Sequence, residues 1–124
     1  HFDLAQQKGK VVVFGFWATW SGPSTRNLPF LLEATSEFNS SELKLVSVNQ
    51  DASREELLEF IDQYNMHELS ILLDENSSAY DAFDVKGLPH TVVIDQGGVV
   101  HDVAVGFSPF QGSDLKRMLT KLIK

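Results

Sequence analysis

Residues 11–29 read VVVFGFWATWSGPSTRNLP, and that order of residue types leaves the chain little freedom. Val11 to Phe16 is continuously apolar, the pattern of a strand buried on both faces of a sheet. Ser21-Gly22-Pro23-Ser24 then supplies a turn of small residues. From Pro23 the apolar positions Leu28, Leu31, Leu32 and Phe38 recur at helical spacing, which predicts a helix to about Asn39. Pro23 suits the first turn, where its missing N–H costs nothing. Pro29 falls inside the pattern and predicts a kink that leans the first turn away from the sheet. The stretch is therefore a strand running into a helix N-terminus, with two hydroxyls at the junction. Unsatisfied N–H groups and a partial positive charge favour an anion there, the setting in which a cysteine becomes a reactive thiolate.

The rest of the chain supplies the layers around this junction. Phe2 to Lys10 is short and polar, with Lys8-Gly9-Lys10 as a turn. Leu43 to Val48 predicts a second strand. Ser53, three residues before Glu56, predicts an N-cap with a capping box. Leu57, Leu58, Phe60, Ile61 and Tyr64 are the expected buried face of that helix. Ile71 to Leu73 predicts a short strand, Asp74-Glu75-Asn76 a turn and cap, and Ala79, Tyr80, Ala82 and Phe83 a brief helix. Thr91 to Ile94 and Val99 to Val105, joined by Asp95-Gln96-Gly97-Gly98, predict an antiparallel hairpin that ends at Gly106-Phe107-Ser108-Pro109. After Gly112-Ser113-Asp114, the positions Leu115, Met118, Leu119 and Leu122 mark an amphipathic C-terminal helix, with Lys121 and Lys124 suiting its dipole. The order βαβα(βα)ββα predicts an α/β fold with a mixed central β-sheet flanked by helices on both faces, as a single domain over residues 1–124.

Composition narrows the function. A net charge of −7 argues against a general nucleic-acid surface, which needs clustered Lys and Arg. No apolar run approaches the roughly 18 residues of a membrane span, and no signal-peptide pattern precedes His1. The short lead before the first strand reads as a mature or trimmed domain whose leader or anchor has been removed. There is no cysteine, so the sequence carries no information on redox compartment. His1, His67 and His101 are scattered without metal-ligand spacing, and no metal or cofactor is expected. Asn39-Ser40-Ser41 and Asn76-Ser77-Ser78 match the glycosylation sequon but read as cap and turn sequences.

Trp20-Ser21-Gly22-Pro23-Ser24 resembles the Trp-Cys-Gly-Pro-Cys active site of the thioredoxin superfamily, with serine at both cysteine positions. Gly87-Leu88-Pro89-His90-Thr91 resembles that family's second signature, the cis-proline loop. Asn27-Leu28-Pro29 and the long segment between the signatures resemble the extracytoplasmic TlpA/ResA-type thiol-disulfide proteins. The resemblance implies a thioredoxin-like fold and thiol-disulfide exchange on protein substrates. Its partners would be protein thiols or disulfides and a reducing partner protein. It also implies a monomer outside the cytoplasm, in the periplasm or on the outer face of the membrane, with a membrane tether outside this chain as one arrangement and the cytoplasm left open. By resemblance, Ser21 holds the attacking position and Ser24 the resolving one. Pro89 is cis, and the Leu88 backbone pairs with an extended substrate segment. Trp20, Gly22, Pro23, Leu88, Pro89, His90 and Phe107 are the candidate substrate-binding residues, whereas Trp17 is expected in the core.

Two proton-handling carboxylates common in the resembled proteins are replaced: Gly15 stands where thioredoxins proper carry a buried aspartate, and Asn27 where TlpA/ResA-type proteins often carry an acidic residue. His90 follows the cis-proline where threonine is common; it is expected to be exposed, with a proton-transfer role as the sharper alternative. A serine hydroxyl can neither attack a disulfide at ordinary pH nor form one. Ser21 is expected to act simply as a helix N-cap. A serine-hydrolase reading fails for want of a Gly-x-Ser-x-Gly elbow and an evident His-Asp pair. A related peroxidase with one lone reactive position fits less well than a paired site. Two origins for the serines stay open: a double Cys→Ser substitution in a working oxidoreductase, or a natively redox-dead module that kept the groove for extended peptides or proteins. The intact Trp20, Gly22, Pro23 and Pro89 favour the first.

Overall fold

β1 (Val11–Trp17) occupies the middle of the sheet because its side chains are buried on both faces. The computed structural model describes residues 4–51, 53–66, 70–74, 76–106 and 111–123. A short 3-10 turn (Leu4–Gln7) precedes β1. Then come α1 (Gly22–Thr35), β2 (Leu43–Asn49), α2 (Arg54–Tyr64), β3 (Ile71–Leu73), α3 (Ser78–Ala82), β4 (His90–Ile94), β5 (Val100–Val105) and α4 (Gln111–Ile123). Phe2, Glu75, Ser108, Pro109, Lys124 and the histidines His1 and His67 lie outside the described residues.

The sheet order is β3-β2-β1-β4-β5. β1, β2 and β3 are parallel, β4 runs antiparallel to β1, and β5 runs antiparallel to β4, so the sheet is mixed. Alternation along β1 divides the core. Val11 and Val13 pack with Leu31 and Ala34 of α1 and with Leu115 and Leu119 of α4. Further along the same face, Trp17 packs with Leu28 of α1 and with Leu57 and Ile61 of α2. Val12, Phe14 and Phe16 point the other way, toward Ala79 and Tyr80 of α3 and toward Phe83, Val85 and Leu88 beyond it. Each fully buried side chain of this size contributes about 1.5–3 kcal/mol. The α/β thioredoxin-like arrangement follows: α1, α2 and α4 on one face, α3 on the other.

Local chemistry shifts some boundaries. α1 stops at Thr35 rather than near Asn39. Thr35 Oγ1 bonds back to Leu31 O at 2.8 Å and Ser36 Oγ to Glu33 O at 3.0 Å. Asn39 then turns the chain, its carbonyl accepting from Glu42 N and Leu43 N and its Oδ1 from Ser41 N. Phe38 still reaches the core from this turn. In α2, Ser53 Oγ accepts from Glu56 N at 3.2 Å, the N-cap half of a capping box. Leu57 and Ile61 are buried and Phe60 half-buried, but Leu58 and Tyr64 are exposed. Leu58 lies off the buried stripe, and Tyr64 stacks on Phe60 at the helix end with ring centroids 4.5 Å apart. Asp74 caps α3 by accepting from Ala79 N at 3.1 Å and Tyr80 N at 2.9 Å. In the hairpin, Asp95 Oδ1 accepts from Gly97 N and Val99 N, while Gly98 takes φ +84°, a left-handed conformation that glycine adopts without strain.

Candidate active site

The C-terminal end of β1 and the N-terminal end of β4 lie side by side, with Phe16 opposite His90 in register. That antiparallel pairing brings the two sequence signatures, Trp20–Ser24 and Gly87–Thr91, to the same end of the sheet. Ser21 is the N-cap of α1, with extended backbone and its Oγ accepting from Ser24 N at 3.4 Å. Its carbonyl receives Thr25 N at 3.0 Å, starting the helix. Pro23 occupies the first turn, where no N–H is needed, and no acidic residue stands in that turn to offset the dipole. Arg26 folds back so that Nη1 lies 3.2 Å from where a Cβ on Gly22 would stand, adding a cation beside the junction.

The two hydroxyls are not equivalent. Ser21 retains some exposure, whereas Ser24 has none. Ser24 Oγ donates to Ser21 O at 2.8 Å, with Ala18 O at 3.2 Å as a second acceptor, and accepts from Ala18 N at 3.2 Å. Around them Trp20 is 68% exposed, Pro23 is exposed, and Gly22 and Leu88 are half-buried. The Leu88–Pro89 peptide bond is cis, and Pro89 is buried. Pro89 O accepts from Gly106 N at 2.9 Å. No hydrogen bond engages the backbone of Leu88 among the described residues. Phe107 lies outside the described residues.

His90 is buried, not exposed. Register explains the difference: it shares the Phe16 side of the sheet, where its ring meets the Phe16 ring edge-on at 5.9 Å. Both ring nitrogens are buried with no hydrogen-bond partner among the described residues. Burial pushes its pKa below the ordinary histidine value, against a weaker pull from the Asp84 carboxylate. The ring therefore faces the layer of Phe83 and Val85, on the opposite side of the sheet from α1. Asn27 is a buried residue of α1 whose Oδ1 has no partner among the described residues, and the space over Gly15 is filled by Leu31. Trp17 is in the core.

One pair escapes sequence reading. Asp51, just past β2, is buried, and its Oδ1 accepts from Thr19 N and Thr19 Oγ1, both at 2.9 Å. The partners are 32 residues apart, and an aspartate between a strand and a Ser-capped helix reads as part of the cap. Among the described residues no cluster of three or more His, Cys, Asp or Glu is arranged to hold a metal ion, and no helix is long and apolar enough to cross a membrane.

Comparison with known proteins places this geometry. The model of the AhpC/TSA family matches residues 1–103. The thiol-disulfide oxidoreductase ResA of Bacillus subtilis is 32% identical over 104 residues, covering 84% of this chain and 58% of that protein. The thioredoxin-like protein YneN of the same organism is 32% identical over 107 residues, covering 84% of this chain and 61% of that protein. The chain thus spans a little over half the length of these curated relatives. A crystal structure from Chlorobium tepidum, provisionally named thiol:disulfide interchange protein DsbE, superposes with a TM-score of 0.87 at 27% identity, over 98% of this chain and 85% of that one.

Proposed function

Because the chain belongs to the AhpC/TSA family of thioredoxin-like proteins, we propose that it is the scaffold of a thiol-disulfide oxidoreductase acting on protein disulfides, held inactive by serine at positions 21 and 24. The observation that carries this is the asymmetry of the pair. Position 21 caps a helix N-terminus and keeps some exposure, whereas position 24, one turn on, is sealed beneath it. With sulfur at both positions, a thiolate at 21 attacks one sulfur of a substrate disulfide and expels the other as thiolate. The sulfur at 24, as thiolate, then attacks the mixed disulfide, closing an internal S–S bond and releasing the second substrate thiolate. The substrate gains two electrons and the protein loses them, so a reducing partner protein must return them. The helix dipole and the Arg26 cation both favour the anionic form at position 21.

The substrate lies extended along Leu88, whose backbone has no hydrogen-bond partner among the described residues and would offer strand-like hydrogen bonds, with the exposed Trp20 and Pro23 as apolar walls. Its location is extracytoplasmic, as the resemblance to TlpA/ResA-type proteins suggests. Insulin reduction is the direct test. The Ser21→Cys/Ser24→Cys protein should precipitate insulin chains in the presence of dithiothreitol faster than reductant alone, and the serine protein should not. Equal rates for both would end the oxidoreductase reading.

The Leu88 backbone, without a hydrogen-bond partner among the described residues, also supports a second reading, a redox-dead module that binds extended peptides at the Pro89 loop. On that reading the all-serine chain binds unfolded or extended peptides by itself, and Pro89→Ala abolishes the binding. Absence of any peptide binding by the all-serine chain removes it.

A further inference from the structure

The connection between β1 and α1 is short, and one buried carboxylate from another element reaches into it. Asp51 is 1% exposed. Both donors of Thr19, its amide and its hydroxyl, converge on Asp51 Oδ1 at 2.9 Å. The Asp51 amide is itself fixed by Asn49 Oδ1 at 2.9 Å, at the end of β2 beside Trp17. Gln50 N ties the same corner to Trp17 O at 2.8 Å. The second oxygen, Oδ2, is buried with no protein partner among the described residues. A buried carboxylate is expensive to keep, and here only one of its oxygens is rewarded. What that oxygen holds is Thr19, two residues before Ser21. The next link is already part of the site: Ser21 N donates to Ala18 O at 3.1 Å, and Ser24 Oγ bonds both polar groups of Ala18.

We infer that Asp51 is a positioning residue for the site: through Thr19 it fixes residues 18–21 over the start of α1 and so sets the environment of the group at position 21. An acceptor-only group suits this task, because two donors must meet one oxygen and no N–H need be placed nearby. Charge-assisted bonds of this kind are roughly twice as strong as neutral ones. The effect on thiol chemistry rests on the oxidoreductase reading above, but the fixing of the loop does not, and the two can fail separately.

The test begins with the all-serine chain. Amide exchange is followed by NMR at Thr19 and Ser21, with Val13 and Val92 as core references, in Thr19→Val, Thr19→Ser, Asp51→Asn and the Thr19→Val/Asp51→Asn double variant. Thr19→Val should speed exchange at Ser21 by about tenfold, the scale of one lost charge-assisted hydrogen bond, and leave Val13 and Val92 unchanged. Thr19→Ser, which keeps both donors, should behave as the parent. The double variant should add little to Asp51→Asn alone, because Asp51→Asn already weakens the hydroxyl bond that Thr19→Val removes. Unchanged exchange at Ser21 in Thr19→Val, or full additivity, overturns the inference; the Thr19 variants decide it even where Asp51→Asn does not fold. In the Ser21→Cys/Ser24→Cys background, Thr19→Val should also move the thiolate titration midpoint at position 21, read by ultraviolet absorbance, and Thr19→Ser should not. A loosened loop with an unmoved midpoint overturns the link to the site. A protein that never forms the internal disulfide overturns the oxidoreductase reading instead, and the exchange data still decide the loop.

Discussion

Leu31 fills the space over Gly15: its Cδ1 stands 2.5 Å from the point where a Cβ on Gly15 would be. By the resemblance drawn from the sequence, Gly15 stands where thioredoxins proper carry a buried aspartate, and here a side chain of α1 occupies that room. Gly15 lies in the buried strand β1 and Leu31 is packed in the core between β1 and α1, so an added methyl would require the Leu31 side chain to move.

Restoring bulk at that position therefore destabilises the fold. Gly15→Ala should cost about 1–3 kcal/mol through overpacking, and Leu31→Ala should recover part of that loss in the double variant although it is harmful alone. Chemical denaturation of the four proteins measures the coupling. Strict additivity would mean that the two side chains do not compete for the same space.

The two serines should differ in what they contribute. Ser21→Ala removes one long cap bond of 3.4 Å and should cost about 0.5–1 kcal/mol. Ser24→Ala strips a fully buried hydroxyl from Ala18 and Ser21 and leaves the Ala18 N–H without its acceptor, a loss of about 1–3 kcal/mol. Urea midpoints should therefore fall further for Ser24→Ala than for Ser21→Ala, and the reverse order would contradict the bonding described for Ser24.

His90 gives the protein a pH dependence of definite sign. Burial lowers its pKa in the folded state relative to the unfolded chain, where a histidine titrates near 6.5. The unfolded state then binds more protons below that value, so this group's contribution is complete above about pH 6.5 and is lost progressively as the pH falls. Stability measured at about pH 5.5 should be lower than at about pH 7.5, and His90→Leu should reduce that difference by removing one titrating group. A His90→Leu protein with the parent's full pH dependence would place the effect elsewhere.

Much of this arrangement is legible in the sequence because it is local. The apolar run of β1, the Ser21 and Ser53 caps and the glycine turn before β5 each depend on neighbours within a few residues, and each lies where its residue types predict. The mixed sheet follows from element order. What pattern reading misses depends on pairing across the sheet. His90 is an ordinary polar residue in sequence, and only its register with Phe16 turns it inward. Leu58 belongs to an apolar cluster in sequence, yet packing selects Leu57 and Ile61. The early end of α1 comes from Thr35 and Ser36 hydroxyls bonding back to the helix, a competition that apolar spacing does not register. Asp51 and Thr19 have no sequence signal at all, since their relation exists only once β1 and β2 are paired.

Redox titration tests the proposed role of positions 21 and 24 as a dithiol site that lacks only its two sulfurs. The Ser21→Cys/Ser24→Cys protein is equilibrated in glutathione buffers of graded poise, quenched with acid and alkylated, and its free thiols are counted by mass. The account predicts a single reversible transition in which two thiols become one intramolecular disulfide, with the fold retained on both sides. Two thiols that stay free at every poise, or that pair only between molecules, would contradict it.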